Sequence, residues 1–591
     1  MRFKFQNILF PGVSLPATED SYLRTIGGVL IDRNARDVVL LEGATIELNT
    51  FYNSVDIELL KRNTNIRNVW LTILGEGKLI VEAWHSGQNS DDILICQNHI
   101  VLEKGEEKSL FIHNIENLCS GKLYLKVKGR TRSHISSAWF ETDEAPLRKI
   151  KLGIVITHYN RQDYVIPSVK RICRELEREG LINRCIDVVV VDNSQNLNDA
   201  EIGQAVVIKN ENTGGSGGFT RGLLYLKDNN FTHCLFSDDD GSYEVESVLR
   251  VFHLYEHEIN NNPKLAFSGI LLRFHSPNIV IEKGSVFDGE GFFFKQNKGF
   301  ARISTMQDVN YLDNGLDNIN YGAWCFFAFQ ISGVQFWPFP VFIRGDDVLF
   351  SIRNNFEIKT VCGIACYVDE FEPKESPLTK YFGYRGFVIN QVNLGKLKLG
   401  VWVKSFLVWY LSSLFSYQYA SASAIEKAHL DMLDGGKVFI EDKFSKNIRT
   451  EIKQINFEIP KMIDLSKIKN IKYPENRKQS CLSRLFRAIN LNGVLLPGVL
   501  LNDSIVLQKM AWRAIFSQIY LHKYVLFYDE NKCKGYTTKL NRKLILRRLI
   551  VIPYLIILTV FKYSSCVKKL KSLLDETSTE EFWRRYLGLV K

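Results

Sequence analysis

Thr232-His-Cys-Leu-Phe-Ser-Asp-Asp-Asp-Gly241 decides the fold: a short apolar run empties into three consecutive carboxylates and a glycine. Such a run, bounded by turn-forming residues, reads as a buried strand rather than a helix. In extended backbone alternate side chains share a face, so Asp238 and Asp240 point one way and Asp239 the other. Two carboxylates on one face offer hard oxygen ligands to a single divalent cation, and a cation there would sit on a diphosphate. The plainer alternative for Asp238 to Asp240 is a solvated, capping turn.

Working upstream, Leu152-Gly-Ile-Val-Ile156 is a second apolar strand, ending in Thr157-His-Tyr-Asn-Arg161. Ile186 to Val191 is another, ending in Asp192-Asn193, a carboxylate and an amide that suit a nucleobase or ribose. Ala205 to Lys209 runs into Asn210-Glu-Asn-Thr-Gly-Gly-Ser-Gly-Gly218, with a helix expected from about Phe219. Glycines leave backbone N–H groups open to a ligand, and a helix N-terminus adds positive potential, so Gly214 and Gly215 read as a diphosphate or sugar seat. Alone, the cluster reads equally as a flexible turn. A dinucleotide fingerprint is disfavoured, because the cluster follows the third strand rather than the first and position 220 is Thr. Strands alternating with helical segments from 149 to 398 make an α/β domain, whose ligands bind at the carboxyl ends of strands.

Downstream, Phe342-Ile-Arg-Gly-Asp-Asp-Val-Leu-Phe-Ser-Ile-Arg353 opens an amphipathic helix at Asp346-Asp347. Either Asp is a reasonable N-cap. The chemical reading has one carboxylate take the proton of an attacking hydroxyl while its neighbour orients the acceptor. Tyr321-Gly-Ala-Trp324 is either an aromatic platform for a sugar or plain core.

The flanks differ. Residues 1–148 carry short apolar runs at Val38–Leu41, Ala44–Leu48, Val69–Leu74, Lys78–Ala83, Ser109–His113 and Lys122–Val127, which predict a β-sandwich. Residues 399–591 read as mostly helical, with 443–478 as linker or loose surface. The chain has 591 residues, 46% hydrophobic and 24% charged, with a net charge of +10, and a mean hydropathy of −0.09. This balance excludes a polytopic membrane protein and a disordered chain. No base-reading motif accompanies the cations, so nucleic acid is not an expected partner. Eleven scattered cysteines without a CxxC pair, and no apolar leader after Met1, lead to the expectation of a cytoplasmic protein. From Asn531 to Ser572 there are eleven Lys or Arg and no Asp or Glu, around the apolar Leu549–Phe561. Thirteen apolar residues fall short of the about 20 that span a bilayer. A basic helix lying on the anionic inner leaflet is expected, with a buried helix as the alternative.

Together Thr157-His-Tyr-Asn-Arg161, Asn212-Thr-Gly-Gly-Ser-Gly-Gly218, Phe236-Ser-Asp-Asp-Asp240, Tyr321-Gly-Ala-Trp324 and Phe342-Ile-Arg-Gly-Asp-Asp347 resemble, in order and spacing, the family 2 inverting glycosyltransferases of GT-A fold. More narrowly they resemble the polymerising galactofuranosyltransferases of the mycobacterial galactan type, and Thr50-Phe-Tyr-Asn-Ser54 and Tyr381-Phe-Gly-Tyr-Arg385 extend the likeness to most of the chain. The resemblance implies transfer of galactofuranose from UDP-galactofuranose to a growing, lipid-linked glycan at the inner face of the cytoplasmic membrane. It implies Mn²⁺ or Mg²⁺ on Asp238 and Asp240, and donor contacts from Thr157, Tyr159, Arg161, Asp192, Asn212, Gly214, Gly215 and Asp239. Asp347 would be the base, with Asp346, Trp324 and Tyr321 at the acceptor, and a homo-oligomer is among the expected assemblies. Two positions depart from the family. Val368 stands where it has a metal-binding His, leaving Asp369 or Glu370 as candidate third ligand, or a slipped loop or two-carboxylate site. Ser285 stands where it has Glu, which opens a different acceptor, linkage or donor. The alternatives are a family 2 transferase with another nucleotide sugar, or a catalytically inactive carbohydrate-binding protein.

Overall fold

The structure, a computed structural model, describes residues 1–87, 91–289, 295–313, 319–474 and 480–590. In the N-terminal region, strands β1 (Trp70–Ser86), β2 (Ile93–Phe111), β3 (Lys122–Gly129) and β4 (Ser133–Thr142) belong to a ten-stranded sheet. β1 pairs with β4 through its first half and with β3 through its second, so one strand runs through both halves of the sheet. The sequence reads Gly75-Glu-Gly77 as a turn between two short strands; in the structure it is a bulge within one long strand. A Cβ on Gly75 would lie 2.1 Å from His134 O, and Gly77 has φ +110, so glycine is what lets β4 cross here. Leu71, Ile73, Val81, Leu125 and Val127 join a hydrophobic cluster that continues into the next region through Ile154 and Val165.

The central sheet contains β5 (Leu152–His158), β6 (Ile186–Asp192), β7 (Val206–Lys209), β8 (His233–Asp238), β9 (Leu265–Ser268), β10 (Phe326–Gln330) and β11 (Glu357–Lys359). Its order is β7-β6-β5-β8-β10-β9-β11, with the first four strands parallel and β10 antiparallel to both neighbours. β5, β6 and β8 are apolar on both sides because both faces are covered: Ile154, Val188 and Leu235 pack in one cluster, Val155, Val189 and Phe236 in another. The register aligns Thr157 with Asp238 and His158 with Asp192, so the strand ends rich in polar groups share one edge. Helices α1 (Gly214–Asp228) and α2 (Asp346–Asn354) begin at that edge.

Helices α3 (Pro377–Asn393), α4 (Leu399–Phe415) and α5 (Tyr419–Leu433) share a cluster with Phe342 and Val348, so the helical part closes directly behind α2. The region expected to be mostly helical also holds a five-stranded sheet, which includes β12 (Asn502–Lys509), β13 (His522–Asp529) and β14 (Lys534–Lys539). The expected linker is ordered as well. It forms a helix at Lys446–Ile455, followed by the buried Glu458, whose carboxylate accepts from Ala420 N and Ser421 N; its last residues, 475–478, lie outside the described ones. Helix α6 (Cys481–Ile489) precedes β12, and a 36-residue helix, α7 (Arg542–Thr577), leads to α8 (Glu580–Tyr586).

Candidate active site

The glycine cluster is not a loop before a helix; it is the first turn of α1, which starts five residues earlier than the sequence suggested. The reason is packing. A Cβ on Gly218 would lie 2.8 Å from Thr157 and Asn193, and one on Gly217 would lie 2.3 Å from Thr213. Gly214 takes φ +68, with Phe342 O where its Cβ would be. Glycine thus lets the helix terminus press against both the strand ends and the 342–345 loop. Ser216 N donates to Phe342 O at 3.2 Å, Phe342 N donates to Ser216 Oγ at 3.1 Å, and Asn193 Nδ2 donates to Gly214 O at 3.3 Å. Asn212 Oδ1 accepts from Gly214 N at 3.1 Å, so Asn212 shapes this turn.

The three carboxylates at the end of β8 converge, with ligand oxygens all within 4.8 Å of one another. Asp239 serves the neighbouring loop: it accepts from Tyr159 N at 3.2 Å and from Arg161 Nη1 at 2.9 Å, and lies 3.6 Å from His158 Nδ1. Asp240 is paired with Arg161 at 2.8 Å and Lys374 at 2.7 Å. Burial pushes Asp240 up, but the two cations outweigh it and hold the carboxyl below its usual range. Asp238 makes no ion pair among the described residues; burial and the adjacent Asp240 and Asp239 push it up to about 7. A partly buried, converging carboxylate pair with one member short of positive charge fits a hard divalent cation.

Asp369 is not part of this group. Its carboxylate faces Lys532 at 2.7 Å and His275 at 3.6 Å, while Glu370 pairs with Arg273 and Lys509. Val368 ends the strand Ala365–Val368 inside the hydrophobic cluster, which turns the next residues outward. The side chain that does come back to the carboxylates is Lys374, which no local pattern in the sequence announced.

The second acidic group sits at the start of α2. Asp346 is buried and Asp347 partly exposed; Asp347 Oδ1 accepts from Val348 N at 2.8 Å. Burial and the neighbouring Asp347 hold Asp346 up at about 8, whereas burial holds Asp347 only to about 6 because Val348 N and Arg344 favour its ionised form. Asp346 also feels the charge of Asp238, the weakest of its influences, so the two acidic groups lie within electrostatic reach of each other. The preceding loop is unusual: Phe342, Arg344 and Gly345 all have φ between +71 and +86. For a bulky residue such as Phe342 this conformation is strained and persists only where its surroundings enforce it. Ser216 clamps its backbone, Phe382 stacks on its ring, and Asn390 Nδ2 donates to Gly345 O at 3.0 Å.

A third acid was missed in the sequence. Glu282, at the end of the short strand Val280–Glu282, is buried and accepts from Ser285 Oγ at 2.7 Å. Burial raises it to about 7, the Ser285 bond opposes that, and Asp347 adds to it. Its one signal was a charged residue closing an apolar run. Tyr321 is buried beside Glu282 and Asp347. Trp324 is core rather than platform: Phe219, Phe236 and Phe350 pack edge-on around it, leaving it 5% exposed. Asp192 is also engaged, accepting from Ser194 N, Leu197 N and Lys209 Nζ; burial raises its pKa, but these bonds bring it below the usual range. Thr157 is buried against Gly218, and Tyr159, with nearly half its surface exposed, stands open at the rim.

No protein-family model matches the chain. It is 26% identical over 332 residues to galactofuranosyltransferase GlfT2 of Mycobacterium tuberculosis, covering 51% of this chain and 50% of the relative. The chain thus matches about half the length of that relative. Among solved structures, mannosyl-3-phosphoglycerate synthase from Rubrobacter xylanophilus aligns at 14% identity, over 42% of this chain and 76% of that one, with a TM-score of 0.27. The CBM22-1–GH10 modules of a Clostridium thermocellum xylanase align at 7% identity, over 32% and 38% of the two chains, with a TM-score of 0.16. Superpositions this loose define neither fold nor activity.

Proposed function

We propose that the chain is a glycosyltransferase, and that its reaction is inverting transfer of galactofuranose from UDP-galactofuranose to a hydroxyl of a lipid-linked glycan. The similarity to a galactofuranosyltransferase supports the transferase class. The observation that carries the chemistry is the meeting, at one sheet edge, of Asp238–Asp240 with Asp346–Asp347. On this reading Tyr159 and Arg161 bind the donor beside the α1 terminus. Asp238 and Asp240 would hold Mn²⁺ or Mg²⁺, which when bound stabilises the charge of a departing diphosphate. Asp347, the more acidic of its pair, takes the proton of the attacking hydroxyl as that oxygen bonds to the anomeric carbon and the carbon–phosphate-oxygen bond breaks. Asp346, protonated at neutral pH, donates a hydrogen bond to the acceptor sugar.

Ser285 and Glu282 favour a second reading for the acceptor or donor alone: the carboxylate reaches Ser285 from three residues upstream, a changed sugar contact compatible with another nucleotide sugar. The proposed setting is the inner face of the cytoplasmic membrane, where a lipid-linked acceptor would be met. The test is UDP release from a panel of nucleotide sugars, with and without chelator, using a galactofuranosyl-terminated lipid acceptor and mass analysis of the product. Turnover of UDP-galactofuranose that stops with chelator is expected. Turnover of another sugar replaces the donor, and UDP binding without turnover favours a catalytically inactive carbohydrate-binding protein.

A further inference from the structure

Four charged side chains outside the proposed mechanism meet where the N-terminal sheet abuts the central region. Lys122, at the start of β3, is buried; its ammonium lies 2.8 Å from Asp56 and pairs with one oxygen of Asp313. Lys283, also buried, lies 3.1 Å from the other oxygen of Asp313 and donates to Leu312 O at 2.9 Å. Cys362 Sγ donates to the same carboxylate at 3.6 Å. Two ammonium groups thus face two carboxylates, and Asp313 bridges a lysine of the N-terminal sheet to one of the central region. Burial pushes Asp313 up, but the two lysines outweigh it and hold the carboxyl down at about 2. Exchanging a buried ion pair for apolar side chains of similar volume is often neutral or stabilising, so such a cluster is weak evidence for stability; fixing a register between elements is its best-attested use.

The register here is that of the acceptor side. Asp313 ends the helix Met306–Asp313, whose Met306, Val309 and Leu312 pack in one cluster with Tyr22, Phe51 and Tyr52 of the N-terminal region. Asn310 Nδ2 donates to Ser86 Oγ at 3.2 Å, and Arg24 Nη2 donates to Ser304 O at 2.8 Å, so this helix and its approach are moored to that region. Lys283 directly follows Glu282. Its N–H donates to Asn297 O at 2.8 Å, Gly284 turns with φ +68, and Ser285 N donates to Tyr321 O at 3.3 Å. Glu282 and Tyr321 both feel the charge of Asp347. A continuous path of packed and paired groups therefore runs from β3 through Asp313 and Lys283 to the side chains beside Asp347.

We propose that Lys122 and Asp313 are positioning residues for transfer: acting through Lys283, they fix where the Glu282–Ser285 stretch stands against Asp347, so that the N-terminal sheet sets the acceptor subsite from behind. This rests on the reading of Asp347 as the base and of Glu282 and Ser285 as part of the sugar contact.

Two charge-balanced variants break the path at different points in the full chain. Lys122→Met/Asp56→Asn leaves Lys283 with Asp313, and Lys283→Met/Asp313→Asn leaves Lys122 with Asp56, so either suffices should the other not fold. The acceptor is a galactofuranosyl-terminated glycan, read as KM in transfer and as Kd by calorimetry. Both quantities are expected to rise about tenfold in each variant, and no further when all four substitutions are combined, because either pair already interrupts the same path. Kd for UDP and the rate of donor hydrolysis without acceptor stay within about twofold, a split that a general loss of folded protein does not produce. Wild-type acceptor affinity in both variants overturns the proposal, as does an equal loss of UDP and acceptor affinity, or losses that multiply in the combined variant. Acceptor Kd needs no turnover, so the two readings fail separately. Glycan affinity that falls in both variants of a chain inactive on every donor removes the transferase and keeps the positioning path; donor turnover with acceptor affinity unchanged does the reverse.

Discussion

The two acidic groups at the sheet edge differ in how far cations reach them. In the first, Asp239 and Asp240 are tied to Arg161 and Lys374, which leaves Asp238 alone pushed up to about 7. Asp346, Asp347 and Glu282 are crowded, with Arg344 the one cation among the described residues that offsets any of them, and all three are held above the usual carboxylate range. A site that grips a diphosphate and its counter-ion needs fixed charge. One that accepts a proton needs a carboxylate whose affinity for protons has been raised toward neutrality. One fold edge supplies both by placing one cluster where cations reach it and the other where burial dominates.

The sharpest way to break this contrast is Asp347→Asn. The expected loss in turnover is roughly a thousandfold, the range of general-base catalysis, with UDP affinity nearly unchanged by calorimetry. Asp346→Asn costs less; if it costs more, the two roles are exchanged.

The same contrast sets the pH profile. Asp347 is protonated below about 6 and ionised above it, so turnover rises as pH increases through about 6 and is lost as pH falls below it. Glu282, held up to about 7, is still neutral while Asp347 titrates, so Glu282→Gln leaves the rise where it is while KM for the acceptor increases. A profile flat from 5 to 8 in kcat, with transfer limited by chemistry, removes Asp347 as the base.

Much of this site was legible because its signals are local. Buried strands announce themselves as apolar runs, and Asp238–Asp240 and Asp346–Asp347 stand at their ends or at a helix start. What was not legible came from distance. Lys374 reaches Asp240 across 134 residues, and Glu282 reaches the Asp346–Asp347 pair from more than sixty residues upstream. Asp369 looked available until Lys532, from the C-terminal sheet, claimed it. The glycines were read for ligand access when they serve close packing, and Gly75-Glu-Gly77 was read as a turn when it is a bulge, because composition does not say which neighbour will press against a missing Cβ. Most of the five-stranded sheet was illegible because its strands are scattered from Lys461 to Lys539.

Lys374 allows a finer test of the compensated cluster. Its ammonium sits on Asp240, where a divalent cation would also bind. With Lys374→Met, Mn²⁺ affinity measured by spin-resonance titration is expected to rise several-fold, since the competing charge is gone. A fall shows instead that the lysine helps to assemble the site.

The smallest expected effect concerns the clamp that joins the two clusters. Ser216, in the first turn of α1, holds Phe342 in a backbone conformation that costs about 1–3 kcal/mol unless enforced. Ser216→Ala removes a single hydrogen bond, worth about 1 kcal/mol, and leaves Phe382 and Arg449 packed on the Phe342 ring. The fold therefore survives, with a comparably small drop in unfolding free energy. The informative readout is kinetic. If the clamp aligns the Asp346–Asp347 pair against the donor side, kcat falls a few-fold while Kd for UDP stays constant; a change confined to UDP affinity places the clamp on the donor side alone.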